Sequence, residues 1–187
     1  MTSTTTTTAL PTGVQPGRWS IEPAHSRAGF TVRHAGISKV HGTVAIAAGE
    51  IVIGESLAGS SVVANLDPAT VDTKEERRDG HLRSADFFET DTHPTWGFRS
   101  TAVRADGDDF AIDGDLTVHG ITRPITLRTE FTGAATDPFG VARLGATART
   151  EFSRKDFGLT WNAALETGGV LVSDTVKVTL DIEAVAA

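Results

Sequence analysis

Long segments in which apolar and polar residues alternate one by one limit most strongly how this chain can fold. In the last such segment the intervening residues are polar or charged, and the other face carries Val176, Val178, Leu180, Ile182 and Ala184. Side chains of a β-strand point alternately to its two faces, so the pattern predicts a strand with one dry and one wet face. Such strands are typical of antiparallel sheets. Similar alternation occurs at 28–34, 110–118, 125–131 and 144–152.

Less regular strand candidates follow the same rule, at 40–46, 50–53, 61–66 and 96–103. Turn signals separate the segments, namely Asp106-Gly107, Gly120, the stretch 137–140 and Ala48-Gly49. The chain has 27 threonines and 19 glycines, which suits strands joined by tight turns. We therefore predict an all-β fold of about eight strands. Their apolar faces are buried either between two packed sheets or inside a closed barrel.

One segment, residues 72–88, interrupts the alternation and predicts a short helix. Thr73 is a candidate N-cap, with Glu76 three positions later closing a capping box. Gly80 is expected to stop or kink the helix. The apolar residues that would pack this insertion over one end of the sheet are Leu82, Phe87 and Phe88.

Length and charge exclude several classes of protein. The chain has 187 residues, no cysteine and a formal net charge of −7, which indicates one domain without disulfides and argues against a nucleic-acid partner. No apolar run is long enough for a transmembrane helix. Residues 1–17 contain no charged side chain and no recognisable export signal, so we expect a disordered leader before a domain at 18–187, and a cytoplasmic location.

The inward faces of the predicted strands define a candidate ligand-binding surface. Strand parity places on it Phe30, Val32, Trp96, Phe98, Leu116, Leu144, Ala146, Phe152 and Val178, with His34 at the end of its strand. Several inward residues are small, and small residues leave an eight-stranded barrel room for one slender ligand. The alternative is that aromatic rings fill the same space. The small residues are Ala28, Gly114, Ala146, Ala148 and Ala184.

The densest polar cluster lies in the helical insertion and contains Arg78, Asp79, His81 and Arg83. The two arginines and the histidine are candidate contacts for a phosphate-like headgroup. An Asp-His pair also suits a general base and its orienting group. The third interpretation is structural: an Arg-Asp ion pair and the histidine fasten the helix to the barrel rim.

No motif for a cofactor or for covalent catalysis is present. The chain lacks the GxSxG, P-loop and GxGxxG patterns. Its six histidines show no paired metal-ligand spacing. We therefore predict no metal, no cofactor and no catalysis. A metal site assembled only by tertiary structure stays open, as does a cryptic enzyme site at His34 or His81.

Five segments in order resemble the YceI-like, polyisoprenoid-binding family. The opening Trp19 to His34 resembles the start of the family, and Arg78-Asp79-Gly80-His81-Leu82-Arg83-Ser84-Ala85-Asp86-Phe87-Phe88 resembles its most distinctive signature. The stretches 94–100, 114–124 and 154–159 are similar to its P-x-x-x-F-x-S, G-x-L-T-x-x-G-x-T-x-P and R-x-D-F-G motifs. The resemblance covers residues from about Arg18 to Val185.

This resemblance implies an extended, lipocalin-like, eight-stranded antiparallel β-barrel whose lumen takes a long isoprenoid or other amphiphilic chain. It also implies a homodimer and no agreed catalytic residues. We expect a carrier or storage protein for such a lipid. The two alternatives are a cryptic enzyme acting on prenyl-type substrates at a histidine-containing mouth, and a filled barrel that acts as a stress or interaction module.

Overall fold

A computed structural model describes residues 9–187 of the chain. In this part there are nine β-strands and one short α-helix, together with three turns of 3-10 helix. In chain order the elements are β1 (Gly17–Ile21), β2 (Arg27–His34), β3 (Ser38–Ile53), β4 (Ser61–Asp72), α1 (Glu76–Arg83), β5 (Trp96–Asp106), β6 (Asp109–Val118), β7 (Ile121–Thr136), β8 (Ala142–Ser153) and β9 (Thr175–Ala186).

Strands β2 to β9 form a closed antiparallel barrel with eight positions. Each strand pairs with the next, and β9 returns to pair with β2, for example at Phe30↔Val178. The remaining strand, β1, lies between β3 and β9, as β2 does, because Ser20 pairs with Glu50 of β3 and with Val185 of β9. The two short strands therefore follow one another along the same position in the barrel. The predicted eight-stranded barrel is therefore confirmed, with one position shared by two short strands.

One of the predicted turns is wrong. Ala48 and Gly49 lie inside the 16-residue strand β3, next to a register shift between Ile46 and Ala48. A Cβ atom at Gly49 would lie 2.5 Å from Cδ1 of Ile21, so the glycine gives space to a buried side chain and does not end the strand. The two strand candidates 40–46 and 50–53 are consequently one strand.

Two other turn signals lead to tight hairpins. Asp106 pairs with Asp109 across Gly107, and Val118 pairs with Ile121 across a two-residue turn. In the second turn both residues, His119 and Gly120, have positive φ angles of 53° and 72°. Positive φ at both central positions is the geometry that matches the twist of adjacent antiparallel strands.

The leader predicted at 1–17 falls partly outside the described residues, which begin at residue 9. Within the described part Val14 is buried, and β1 begins at Gly17. The barrel therefore starts before Arg18, the first residue of the predicted domain.

Helix α1 lies where the insertion was predicted, but its N-cap is different. The carboxylate of Glu75 accepts hydrogen bonds from the backbone N–H groups of Arg77 and Arg78, at 3.1 and 2.7 Å. Thr73 does not cap the helix because its buried hydroxyl donates to Asp79. Gly80 lies within the helix and does not end it.

Candidate functional site

An apolar cavity of about 430 Å³ runs through the barrel. All eight barrel positions contribute lining residues; among them are Phe30, Val44, Val62, Phe98, Ile112, Ile125, Ala148 and Val178. On β9 the lining extends from Val176 to Ile182, which is roughly 20 Å of strand at about 3.3 Å per residue. The inward faces therefore enclose a long space, and the side chains do not fill the barrel.

One end of the cavity is closed by packed side chains. Trp19, Leu144 and Ala184 form a buried cluster there, against Ile53 and Phe131. Leu144, predicted to line the ligand surface, lies in this cluster and outside the cavity lining. Its face is the predicted one, but it pairs with Ala184 at the level where the barrel is plugged. Ala184 is fully buried for the same reason.

The opposite end is covered by two segments that are not strands. The first is α1 together with the residues that follow it, and it contributes Leu82, Phe87 and Phe88 to the lining, as predicted for a helical insertion over one end. The second is the connection between β8 and β9, residues 154–174, which brings Arg154 and four apolar residues into contact with the cavity: Leu159, Trp161, Leu171 and Val172. The rings of Phe87 and Trp161 meet across the two segments, with centroids 5.3 Å apart.

Most polar lining residues are at this second end, which we call the mouth. They are Arg33, His34, Thr73, Glu75, Arg78, His81 and Arg154. The deep part of the cavity is lined mainly by aliphatic and aromatic residues. The site thus has one apolar end and one polar end, as an amphiphilic ligand does.

Arg78 lines the mouth but does not pair with Asp79. Its Nε donates to Thr73 Oγ1 at 2.7 Å, and its Nη2 donates to the Thr73 carbonyl at 2.8 Å. Asp79 is buried and accepts from both the backbone N–H and the hydroxyl of Thr73. The predicted Arg-Asp ion pair is therefore replaced by two separate links to one threonine, which hold α1 against the end of β4.

His81 also lines the mouth, and its acidic partner is Asp86. The distance from His81 Nε2 to Asp86 Oδ2 is 2.8 Å. Its ring packs edge-on against Trp161, with centroids 4.7 Å apart. Asp79 does not orient this histidine, so the predicted base and its orienter do not meet. Arg83 is half-buried and lies outside the cavity lining.

The structure brings most of the predicted ligand-contact residues together on one cavity surface. These are Phe30, Val32, His34, Trp96, Phe98, Leu116, Ala146, Phe152 and Val178. His34 is exposed at the rim, where it pairs with Val172 of the β8–β9 connection. Of the predicted small lining residues, Ala28, Ala146 and Ala148 face the cavity, whereas the Phe98 ring lies over Gly114.

Arg154 is a site residue that the periodicity analysis missed. It is 3% exposed, and its guanidinium donates to the backbone carbonyls of Leu159, Trp161, Val172 and Ser173. Burial lowers the pKa of this guanidinium, and the nearby carboxylate of Asp174 opposes the change. A single buried cation therefore holds the second covering segment in place. Arg154 lies outside the alternating segments, so periodicity gives no information about it. The sequence feature that marks it is the segment 154–159, which resembles the family's R-x-D-F-G motif.

The comparisons with known proteins bear on this barrel. The family model of the YceI-like domain matches residues 19–184. Protein YceI of Escherichia coli is 39% identical over 139 residues, which are 74% of this chain and 73% of that protein. The chain belongs to the YceI-like family. Another relative of this YceI-like chain is a UPF0312 protein of Vibrio cholerae, 40% identical over 138 residues, with 73% of each chain covered.

Solved structures share the YceI-like barrel at low sequence identity. BcnA of Burkholderia cenocepacia has a TM-score of 0.73 and 16% identity, covering 87% of this chain and 98% of that one. A polyisoprenoid binding domain from Saccharophagus degradans, implicated in plant cell wall breakdown, has a TM-score of 0.66 and 19% identity, covering 92% and 100%. At these identities the likeness concerns the fold.

Among the described residues, no helix combines the length and hydropathy needed to cross a membrane. Within residues 9–187, two groups of side chains outside the cavity lining have metal-ligand spacing, namely Glu22, His25 and Glu183, and Glu89, His93 and His119. The predicted homodimer, cytoplasmic location and lack of cofactors stay predictions.

Proposed function

We propose that this YceI-like protein carries one long isoprenoid-like lipid in its barrel, with the apolar chain in the deep lumen and the polar end at the mouth. The observation that supports this most directly is the long cavity, which is mainly apolar inside and has most of its polar residues at one end. A ligand that fits must be slender, mainly hydrocarbon and polar at one terminus. The structural likeness to a polyisoprenoid binding domain points to the same class of ligand.

The binding energy of such a ligand comes from its chain. Burying a five-carbon prenyl unit contributes about 3–4 kcal/mol at about 0.8 kcal/mol per methylene-sized group. The loss of translational and conformational freedom offsets much of this gain. Several units are needed for tight binding, and the length of the lumen suits several units. Contacts at an exposed mouth add only about 0–1 kcal/mol each, so the chain governs affinity and the mouth governs headgroup selectivity.

We infer that the protein binds its lipid without converting it. At the mouth, the pair that most resembles a general base and its orienting partner is His81 with Asp86. The His81 ring, however, packs edge-on between Phe87 and Trp161 and so braces the covering segments. Incubation with prenyl diphosphates followed by mass spectrometry of the mixture should recover only the starting lipid. A product that disappears in the variant His81→Ala would establish the enzyme alternative instead.

Replacing Ala146 by tryptophan tests whether the lumen holds the lipid. Ala146 lies on β8 in the lining, and an indole there would occupy space that the chain requires. Overpacking costs about 1–3 kcal/mol, so we expect the affinity for a polyprenyl ligand to fall by roughly tenfold or more. Isothermal titration calorimetry measures the change, because the added tryptophan would alter a fluorescence signal from Trp96 and Trp161, which line the cavity.

Thr147→Trp is the matched control, because Thr147 is the next residue on the same strand and points to the other face. Its hydroxyl contacts Asp181 on β9, outside the lumen. This variant should bind the polyprenyl ligand like the original protein. If a folded Ala146→Trp variant also binds unchanged, the ligand does not lie along β8 and the proposal is wrong.

The lipid that accompanies the protein from cells identifies the natural ligand. We expect native mass spectrometry to show one chain with one bound lipid, and extraction to release a molecule with several prenyl units. Ala146→Trp should carry less of it than Thr147→Trp. Protein that is lipid-free after mild purification and does not take up polyprenyl ligands would support the alternative of an interaction module.

A further inference from the structure

Three metal-ligating side chains meet outside the cavity, beside the segment that follows α1. Oε2 of Glu89 lies 3.4 Å from Nε2 of His119 and 3.9 Å from Nε2 of His93. Among the described residues, no lysine or arginine forms an ion pair with Glu89, and these two histidines are its basic neighbours within 4.0 Å. The three side chains are 37%, 19% and 27% exposed, in the order Glu89, His119 and His93. The group is therefore partly buried but open to solvent on one side.

The backbone brings these residues together in two ways. The N–H of His93 donates to the carbonyl of Glu89 at 2.8 Å, so the two residues are one helical turn apart and share a face. His119 is in the β6–β7 turn, where the missing Cβ of Gly120 makes room for the His93 ring. The positive φ angle of His119, 53°, belongs to the two-residue β6–β7 turn, and Glu89 also has a left-handed backbone conformation, with a φ angle of 47°. Such conformations are unfavourable for residues other than glycine and cluster at functional sites.

Hydrogen bonds orient two of the ligands toward the centre of the group. Nδ1 of His119 is 3.2 Å from the carbonyl oxygen of Phe157, which can only accept, so Nδ1 carries a proton and, in the neutral ring, Nε2 presents its lone pair. The hydroxyl of Thr92 donates to Oε1 of Glu89 at 3.0 Å and leaves Oε2 turned toward the histidines. Protein metal ligands are usually held by outer hydrogen bonds of this type.

The arrangement leaves one buried atom without a partner. Nε2 of His119 is inaccessible to solvent and makes no hydrogen bond, although a carboxylate oxygen lies 3.4 Å away. With Nδ1 as the protonated nitrogen, a lone pair and a carboxylate face one another, and a cation between them would satisfy both. Two ligands of a tetrahedral zinc ion with bonds of about 2.0–2.1 Å are about 3.3–3.4 Å apart, which agrees with the observed distance.

The second group with metal-ligand spacing, Glu22, His25 and Glu183, already has a positively charged partner, the guanidinium of Arg143. Arg143 Nη1 donates to Glu22 and to Glu183 at 2.5 and 2.6 Å. His25 hydrogen-bonds to the same Glu22 carboxylate at 2.9 Å. The guanidinium already neutralises these carboxylates, so this group has no need for a metal. It offers an internal comparison with the same types of side chain.

We propose that Glu89, His93 and His119 bind a divalent transition metal, with Zn²⁺ as the expected ion. Two imidazoles and one carboxylate form a ligand set typical of zinc with a fourth position for water, whereas Mg²⁺ and Ca²⁺ prefer sites made of oxygen atoms. The ion would connect the segment 84–93 to the β6–β7 turn. Phe87 and Phe88 in that segment cover the cavity, so the metal would fasten the cover. The proposal does not depend on the identity of the lipid.

Titration of the metal-stripped full-length chain with Zn²⁺, against a chromophoric chelator, tests the site. We expect one tightly bound equivalent at mildly basic pH, where imidazoles are unprotonated. His93→Ala and His119→Gln should each weaken binding by about 100-fold or more, and Thr92→Ala by roughly 10-fold, the lower end of the range for outer-shell partners. Co²⁺ should give the intense visible bands of tetrahedral coordination in the original chain and lose them in both histidine variants.

His25→Ala is the matched control and should bind Zn²⁺ like the original chain. The melting temperature provides a second readout: Zn²⁺ should raise it in the original chain and in His25→Ala, but not in His93→Ala. Hydrogen exchange should show increased protection of residues 84–93 on addition of Zn²⁺. The absence of saturable binding, or binding that is lost in His25→Ala and kept in a folded His93→Ala variant, would overturn the proposal.

Discussion

At the scale of single residues, two glycines control how much of the lumen stays open. Gly42 pairs directly with Phe30 across β2 and β3, and the Phe30 ring lies over it. At Gly114 a Cβ atom would lie 2.5 Å from Cζ of Phe98. Both rings therefore rest on the barrel wall because the residue beneath has no side chain. With any other residue the rings would extend into the lumen.

The variant Gly42→Ala tests this interpretation. The three atoms nearest to the new methyl group all belong to the ring of Phe30, which must turn into the lumen. Overpacking of this kind costs about 1–3 kcal/mol, and we expect polyprenyl affinity to fall with it. Denaturant unfolding and ligand titration measure the two effects. Adding Phe30→Leu should restore binding; if it does not, the ring is not the obstacle.

At the scale of elements, the connection between β8 and β9 depends on one buried cation. Residues 154–174 contain little regular structure, and four of their backbone carbonyls accept from Arg154. Asn162 adds a hydrogen bond from its amide to the carbonyl of Val172 at 2.7 Å. Backbone acceptors in a buried loop require such partners. This connection covers the mouth because the guanidinium supplies several donors at one point.

Arg154→Met should loosen this element and leave the barrel closed. The variant leaves buried carbonyls unpaired, which costs at least about 1–3 kcal/mol. We expect faster hydrogen exchange across residues 157–173 and faster release of a bound lipid. The neighbouring variant Lys155→Met is the control, since its exposed ion pair with Asp174 at 3.0 Å contributes about 0–1 kcal/mol. Equal exchange rates in both variants would contradict the role of Arg154.

At the scale of the whole molecule, charged groups join three parts of the chain next to the plugged end. Arg143 of β8 bonds to Glu22, to Glu183 of β9 and to Asp137 in the β7–β8 turn. Hydrogen bonds from His25 and Arg143 lower the pKa of Glu22 below its ordinary value of 4.5. Backbone and Arg143 hydrogen bonds lower that of Asp137 below 3.8. The bond to Glu22 raises the pKa of His25 above 6.5.

These shifts predict how stability depends on pH. Because folding lowers the pKa values of Glu22 and Asp137, their carboxylates stabilise the folded protein fully above about pH 4.5. This stabilisation is lost as the pH falls through the lowered pKa values. Because folding raises the pKa of His25, the protonated ring stabilises the folded protein fully below pH 6.5. This stabilisation is lost as the pH rises through the raised pKa. We expect the melting temperature to be highest between these limits. In Arg143→Leu the acid-side decrease should be smaller, and an unchanged profile would disprove the assignment.

Much of the fold could be predicted because strand parity depends on local sequence alone. An apolar residue at every second position must face the interior, and this placed Phe30, Phe98 and Val178 correctly. Parity states which face a residue occupies but not its depth along the barrel. Leu144 shows the difference, since it has the correct face but lies among the plugging residues Trp19 and Ala184.

The sequence by itself determined the strands, most of the turns and the position of the helical insertion, since these follow from periodicity and turn chemistry. Only the tertiary structure decided whether the barrel is hollow, because that depends on ring positions such as Phe30 over Gly42. It also decided the partners of charged side chains. Arg154 meets carbonyls that lie 5 to 19 residues further along its own loop, and Glu89 meets His119, only when the connections fold over the end of the barrel.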